Sequence, residues 1–383
     1  MGTNQIIQVI TPGDHFSPST GSAIPTVVHN FSSVAKNRSI SAAVVIDATT
    51  RAERYTSAQV IECSYKQFHL NKLQKISDLS SGRLFINRPN LTRMYFPAIE
   101  SIKTLGRADV LIHNAVPHPS PLRRIAPQHC YYSWFHNDVF RYYSKLERQN
   151  LVSSYDGIIC VSDYIRNVTI TGLPIELQER VHVLQNGVDL AQFGVARQAQ
   201  PKVTVLFIGR VVPEKGVHVL IDAVVDLISK GHDFNVRIVG RCGFDNNDPL
   251  SPYELQLREA ALDCKSIEFV PFARREEIPN IMANADIMVV PSIWPDPNPL
   301  VVKEGLAAGL AVVCSDIGGI PEMFQDKSLL FSPGDSRSLA SVLKSLLQDT
   351  QLIPAVGASN RLYVERFTWD KQFDILNRIL ASK

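Results

Sequence analysis

The stretch Val203-Thr-Val-Leu-Phe-Ile208-Gly209-Arg210-Val-Val-Pro-Glu-Lys215-Gly216-Val217-His-Val-Leu-Ile-Asp-Ala-Val-Val-Asp-Leu-Ile228 joins two periodicities through a glycine-bearing turn. Its first six residues are a β-branched, almost wholly apolar run, the pattern of a parallel strand covered on both faces. Beyond the turn, Val217, Leu220, Ile221, Val224 and Ile228 fall at i, i+3, i+4, i+7 and i+11, which lines one face of a helix. A buried strand feeding such a helix opens a βα alternation and predicts a parallel sheet. Downstream the alternation continues, with strands expected at 236–239, 267–270, 287–290, 311–314 and 329–331. Upstream it gives strands at 6–10, 42–46, 110–112, 157–161 and 181–184. The polar residues 196–202 separate the two series. The fold class is therefore α/β, as two doubly wound domains joined near residue 196.

The chain has 383 residues, 45% of them hydrophobic and 20% charged, enough for two domains with a core each. That composition excludes a disordered tail, a collagen and a small disulfide scaffold. A formal net charge of +2 argues against a dedicated duplex-DNA binder, and nucleic acid is not expected as a partner. The total conceals an asymmetry: residues 1–200 carry 20 Lys+Arg against 14 Asp+Glu, and the rest 19 against 23. A basic half could attract an anionic membrane or an anionic acceptor, although an unevenly paired solvated surface reads the same way. Cys63, Cys130, Cys160, Cys242, Cys264 and Cys314 stand singly, without a C-x-x-C pair, and are expected to be buried thiols in a reducing compartment. Residues 1–10 lack a secretory leader pattern and no run of 18 uncharged apolar residues occurs, so the expectation is a soluble cytoplasmic protein.

Chemistry is densest in Pro291-Ser-Ile-Trp-Pro-Asp296-Pro-Asn-Pro-Leu300-Val-Val-Lys-Glu304-Gly-Leu-Ala-Ala-Gly309. Here an apolar strand ends in a proline loop. Pro299 suits the first position of a helix of roughly 299–308, and Gly309 the position past its end. The N–H groups of Leu300 and Val301 lack intrahelical partners and carry the positive end of the dipole, so an anion could bind there. Glu304, one turn on, points back toward that spot and suits two neighbouring hydroxyls, as on a ribose, better than a phosphate. Lys215 lies at or just before another helix start, where a cation opposes the dipole by roughly 0.3–1 kcal/mol. A polyphosphate would supply the missing negative charge; the alternative is a surface lysine beside an arginine that caps a neighbouring carboxylate.

Gly209-Arg210 with Lys215-Gly216, the pair Asp296 and Glu304 with seven residues between, Gly318-Gly319-Ile-Pro-Glu322 and Asn186-Gly-Val-Asp189 together resemble the retaining nucleotide-sugar glycosyltransferases of the GT4 family, whose fold is GT-B. The resemblance is strong over residues 180–335 and weaker over the first half. It implies two Rossmann-like domains facing across a cleft: an acceptor-side domain at 1–195, a donor-binding domain at 196–366, and a last helix at about 367–383 crossing back onto the first. By the same resemblance Arg210 and Lys215 hold the donor diphosphate and Glu304 takes the ribose hydroxyls. Asp296 and the backbone after it meet the donor sugar. Pro299 has no N–H, so those backbone contacts fall to Asn298, Leu300 and Val301. The family usually has Glu where Asp296 stands, and often Phe-Gly at Asn298-Pro299, which leaves the donor sugar open.

In the first half, the loop from Thr11 to Gly21 and Ser22 resembles the family's glycine loop, with Gly21 close to the diphosphate; an ordinary βα turn is the alternative. His113 and His136 each end an apolar run, where a structural, hydrogen-bonded histidine is also expected. His136 corresponds better to the family histidine that faces the reacting sugar. Neither has metal-ligand spacing, and no metal or other cofactor is expected. Ser162 reads as a helix cap, and Phe373, Leu376 and Ile379 as one packing face.

The resemblance thus implies a retaining, metal-independent glycosyltransferase that moves a sugar from a UDP- or GDP-linked donor to a glycan, lipid-linked or other hydroxyl acceptor. Cell-surface polysaccharide or glycoconjugate synthesis, with peripheral contact at an anionic inner membrane face, is the expected setting. The catalytic set is His136, Asp296, Arg210 and Lys215. A sugar-nucleotide epimerase on the same plan and a non-catalytic binding subunit are the alternatives. A dehydrogenase is disfavoured, since no Gly-x-Gly-x-x-Gly follows either first strand.

Overall fold

The structure is a computed structural model that describes residues 5–85, 87–198, 200–243 and 246–382. Residues 1–4, Ala199 of the polar stretch read from the sequence, and Lys383 of the segment 367–383 expected as the last helix lie outside the described residues. The chain divides into two units, Met1–Asn186 with Trp369–Lys383, and Gly187–Thr368.

In the first unit β1 (Gln5–Val9), β2 (Ser41–Asp47), β3 (Gln59–Cys63), β4 (Asp109–His113), β5 (Cys130–Phe135), β6 (Gly157–Cys160) and β7 (Val181–Val183) form one sheet in the order β3-β2-β1-β4-β5-β6-β7. Every pairing is parallel, with Ile7 opposite Ala43 on one side and Val110 on the other. The second unit repeats the plan: β8 (Thr204–Ile208), β9 (Asn235–Val239), β10 (Ile267–Val270), β11 (Ile287–Val290), β12 (Ala311–Ser315) and β13 (Leu330–Phe331) lie in the order β10-β9-β8-β11-β12-β13. These pairings are parallel too, with Val205 opposite Ile287. Helices cover both faces, so Val205 and Val289 fall in one apolar cluster and Leu206 and Met288 in another. Strand order reverses between β1 and β4, and again between β8 and β11, and open α/β sheets hold ligands at the carboxyl ends beside such a reversal.

Two strands escape the sequence pattern. β3 is an edge strand whose Gln59 and Glu62 are exposed, and β5, Cys-Tyr-Tyr-Ser-Trp-Phe, is aromatic where aliphatic runs mark its neighbours. The unit boundary falls at Asn186/Gly187, upstream of 195/196, because Val188 and Phe193 are buried in the second unit's core. The Val188 N–H also donates to the Phe367 carbonyl at 2.9 Å. The last helix, Trp369–Ala381, belongs to the first unit, where Phe373, Leu376 and Ile379 are buried. Phe31, on the helix Ala23–Asn37, meets Trp369 edge-on with ring centroids 5.5 Å apart. Three cysteines, Cys130, Cys242 and Cys264, are only partly buried, against expectation. Among the described residues no helix is long and apolar enough to cross a membrane.

Candidate functional site

At the carboxyl end of the second sheet two loops are tied together through glycines. After β8, Pro213–Lys215 makes one 3-10 turn, and Gly216 leaves it with φ +68°, a conformation that costs a side chain dearly. A Cβ there would also land 1.8 Å from the Pro291 carbonyl oxygen. The Glu214 carbonyl accepts from the N–H groups of Ile293 (3.0 Å) and Trp294 (3.3 Å). On the other side, the Gly319 N–H donates to the Asp296 carbonyl at 2.9 Å, and a Cβ on Gly318, φ +63°, would lie 2.6 Å from that oxygen. Residues 291–296 are thus clasped between Gly216 and Gly318.

This clasp brings Lys215 and Asp296 into a direct ion pair, their side chains 30% and 13% exposed. The negative charge that the sequence left open for Lys215 is therefore supplied by Asp296, whose loop Gly216 draws in. Arg210 follows β8, is exposed, and makes no ion pair among the described residues. The helix Leu300–Ala307 begins one residue later than expected, with Pro299 as its cap residue and no side chain capping it. Its first N–H groups, on Leu300 and Val301, remain open to an anion. Gly305 sits mid-helix where alanine would be favoured by about 1 kcal/mol. A Cβ there would lie 2.3 Å from the Met288 methyl carbon, so the residue lets the helix lie close on β11.

Glu304 is buried and ion-paired with Arg275, whose guanidinium lies 5.7 Å from the Phe193 ring centroid. Arg275 comes from a different loop, and nothing in its local sequence marks it. Lys303 was also missed, although a signal existed: it lies three residues from Leu300 and from Leu306, on the buried side of the helix. Its nitrogen is 3.4 Å from Asn298 Oδ1 and 4.4 Å from the Phe367 centroid. Burial holds this ammonium well below its ordinary range, opposed by Glu322.

At the carboxyl ends of β4 and β5 in the first sheet two histidines meet, whereas Asp47 at the end of β2 accepts from the Thr49 and Tyr65 N–H groups. His113, the last residue of β4, is fully buried; His136 follows the end of β5 and is half-buried. Both rings stack on Trp134, at 5.1 and 5.5 Å between centroids. His113 Nδ1 lies 2.9 Å from His136 Nε2, and its Nε2 lies 3.2 Å from Gln8 Oε1. Burial pushes both imidazoles down, His113 well below the usual range with a further contribution from His136, and His136 to about 3. The two histidines, read from sequence as rivals, are partners. Gly21 is exposed, just before the helix Ala23–Asn37, and the left-handed turn of that loop is at Gly13, φ +86°. Ser162 caps its helix, accepting from the Ile165 N–H at 3.3 Å. Among the described residues no group of three or more His, Cys, Asp or Glu side chains could hold a metal ion.

Two doubly wound parallel sheets, with charged loops at a strand-order reversal, define a GT-B glycosyltransferase fold. Residues 191–361 match the family described as "Glycosyl transferases group 1" and residues 26–192 that described as "Glycosyltransferase Family 4". Between them these two matches, both to glycosyltransferase families of GT4 type, take in residues 26–361. The chain is 27% identical to the spore coat protein SA of Bacillus subtilis over 272 residues, 65% of this chain and 72% of that one. With the phosphatidyl-myo-inositol mannosyltransferase of Mycolicibacterium smegmatis it shares 30% identity over 224 residues, 56% of this chain and 54% of the relative. Anabaena HepE, solved in complex with UDP, superposes with a TM-score of 0.72 at 18% identity, covering 99% of this chain and 100% of that one.

Proposed function

We propose that this glycosyltransferase moves a sugar, with retention of anomeric configuration, from a UDP- or GDP-linked donor to a hydroxyl acceptor in polysaccharide or glycoconjugate synthesis. The observation that carries the reading is the glycine clasp, which pairs Lys215 with Asp296, four residues ahead of the uncapped start of the helix Leu300–Ala307. As the bond to the leaving diphosphate breaks, negative charge grows on its oxygens. Arg210, Lys215 and the N–H groups of Leu300 and Val301 would stabilise that charge, and they supply positive potential without calling on a metal. Asp296, released from Lys215 as the diphosphate takes its place, and Asn298 would meet sugar hydroxyls. Glu304 would take the ribose, and Gly21 the diphosphate. Capture of HepE with UDP-glucose supports a nucleotide-sugar donor.

A screen of UDP- and GDP-sugars for slow hydrolysis, with and without a cell-extract acceptor, tests this. Consumption of one donor, with a product of the donor's anomeric configuration, is expected, and the rate should survive EDTA. Interconversion of the sugar nucleotide would make the protein an epimerase, and no consumption at all a binding subunit.

The reading includes a cytoplasmic protein in peripheral contact with an anionic membrane face, which one helix supports. Lys72–Phe85 turns its polar side inward: Asp78 is buried and accepts from the Asn90 and Leu91 N–H groups at 3.0 and 2.9 Å. Leu73, Ile76 and Leu84 face outward, 78%, 51% and 73% exposed, beside exposed Lys72, Lys75 and Arg83. Apolar residues flanked by cations suit the interface of an anionic bilayer. Sedimentation with phosphatidylglycerol vesicles, lost in a Leu73→Ser/Ile76→Ser/Leu84→Ser variant, is the expected result.

A further inference from the structure

Two loops at the carboxyl end of the first sheet gather more positive charge than their carboxylates answer. Residues 10–22 lead from β1 to the helix Ala23–Asn37, and residues 48–58 lead from β2 to β3, all within the first unit. The loops are laced together. The Arg51 N–H donates to His15 Nδ1 at 3.0 Å, the Tyr55 N–H to the Phe16 carbonyl at 3.2 Å, and Arg51 Nη1 to Ser19 Oγ at 3.3 Å.

The carboxylates nearest in the chain are engaged elsewhere: Asp14 is turned to the hydroxyls of Thr11 and Ser22, and Asp47 to Thr49 and the Tyr65 N–H. Among the described residues Arg51 forms no ion pair, and Arg54 meets only Glu62, 3.8 Å away with a side chain 56% exposed. Arg54 gives one donor to the Thr50 carbonyl at 2.9 Å, and its Nε and Nη1 are buried without a hydrogen-bond partner among the described residues. Its charge therefore acts through space. Arg51 is exposed, and its guanidinium has donors to spare beyond the one on Ser19. His15 registers the field: burial, then Arg51, then Arg54 hold its imidazole below the ordinary range. A backbone N–H can only donate, so His15 Nδ1 is bare and the neutral ring carries its proton on Nε2, a donor with no partner among the described residues.

We propose that His15 and Arg51, in the field of Arg54, form a binding site for a phosphate group on the first unit, with His15 Nε2–H and the Arg51 guanidinium donating to its oxygens. A phosphate monoester suits the patch because it brings close to two negative charges and three accepting oxygens, whereas a carboxylate would answer one cation and leave the other. Resting on the glycosyltransferase reading above, the phosphate is one that the acceptor carries, as a sugar phosphate or a lipid phosphate. The site itself does not depend on that reading.

The test titrates the full chain, labelled with 15N at histidine, with inorganic phosphate, His15→Gln assigning the ring. Phosphate should shift the His15 signals and raise the pH at which the ring titrates, because a dianion reverses the effect of the two cations. A His15 ring indifferent to phosphate would overturn the site. Arg51→Gln should weaken phosphate binding roughly 3–10-fold, the range of an exposed charge-assisted hydrogen bond, and Arg54→Gln less. Lys36→Gln removes a cation of the same unit outside the patch and should change nothing; an equal loss there would reduce the binding to general attraction and refute the site. Glucose 6-phosphate is then compared with glucose, and phosphatidylcholine vesicles holding a polyprenyl phosphate with vesicles lacking it. Arg51-dependent binding of one phosphorylated member is expected and names the source. No preference in either pair, or displacement of phosphate by UDP, would overturn the acceptor role. A protein without turnover would fail the transferase reading and still answer the phosphate titration.

Discussion

The two sheets share one topology, and their carboxyl ends are furnished differently. On the second, Lys215 with Asp296 and Arg275 with Glu304 form charge pairs on loops that reach water, since the side chains of Lys215 and Arg275 are 30% and 26% exposed. On the first, Gln8, His113 and His136 form a hydrogen-bonded chain that runs from beneath the helix Ala23–Asn37 to the half-buried His136. The cations of both pairs reach water while their carboxylates are largely buried, so a polyanion arriving from solvent can compete with Asp296 for Lys215. Gln8, His113 and His136 offer such a ligand no cation at neutral pH, since burial holds both imidazoles low. The same βα scaffold thus carries charge pairs at one carboxyl end and a neutral hydrogen-bonded chain at the other.

The sharpest way to break that contrast is to remove charge from the second end. With charge-assisted hydrogen bonds contributing ~1.5–3 kcal/mol each, Lys215→Ala and Arg210→Ala should each lower kcat/KM for donor consumption by about 10–150-fold. Lys215→Ala should be the worse, because it also strips Asp296 of its counter-charge. His136→Ala should cost less than either. Equal rates in parent, Lys215→Ala and Arg210→Ala would dismantle the anion site, and a larger effect at His136 would reverse the contrast.

Next in size is the pair around Glu304. Arg275→Ala leaves a carboxylate whose side chain is 5% exposed without its partner, which, discounted for the partial exposure of Arg275, should cost about 1–2 kcal/mol in urea unfolding. Glu304→Gln keeps an acceptor oxygen for the Arg275 guanidinium and should destabilise less. It should nonetheless weaken nucleoside diphosphate binding in titration calorimetry, because an amide offers ribose hydroxyls one acceptor oxygen where the carboxylate offers two. Unchanged affinity would remove the ribose role.

The fold was legible because buried parallel strands write themselves as aliphatic runs; where burial is partial, as in β3, or aromatic, as in β5, that signature fades. Lys215, Asp296 and Glu304 could be found because turn glycines and a helix start flag them locally. Their partners could not. Arg275 reaches Glu304, and Gln8 reaches His113, only after the chain has folded, and Gln8 sits inside a strand where alternation assigns it no special part. Asp296 was read as a sugar ligand and Lys215 as a phosphate ligand, and only the clasp at Gly216 and Gly318 reveals that each begins as the other's partner.

The smallest expected effect separates the two ends by pH. An unfolded chain binds a proton at each histidine with the ordinary value near 6.5, whereas folded His113 and His136 are held lower by burial, His136 at about 3. Between those values the unfolded state binds more protons, so stability is full above about pH 6.5 and falls as the pH is lowered. Between pH 7 and 5.5 each histidine should remove roughly 1 kcal/mol from the unfolding free energy. His113→Asn should take its share out of that slope, and Lys215→Ala should leave the slope as it is. Urea midpoints at several pH values would measure it. A slope indifferent to His113→Asn would mean that the imidazole is already solvated, and that the first sheet's carboxyl end is as open to water as the second's.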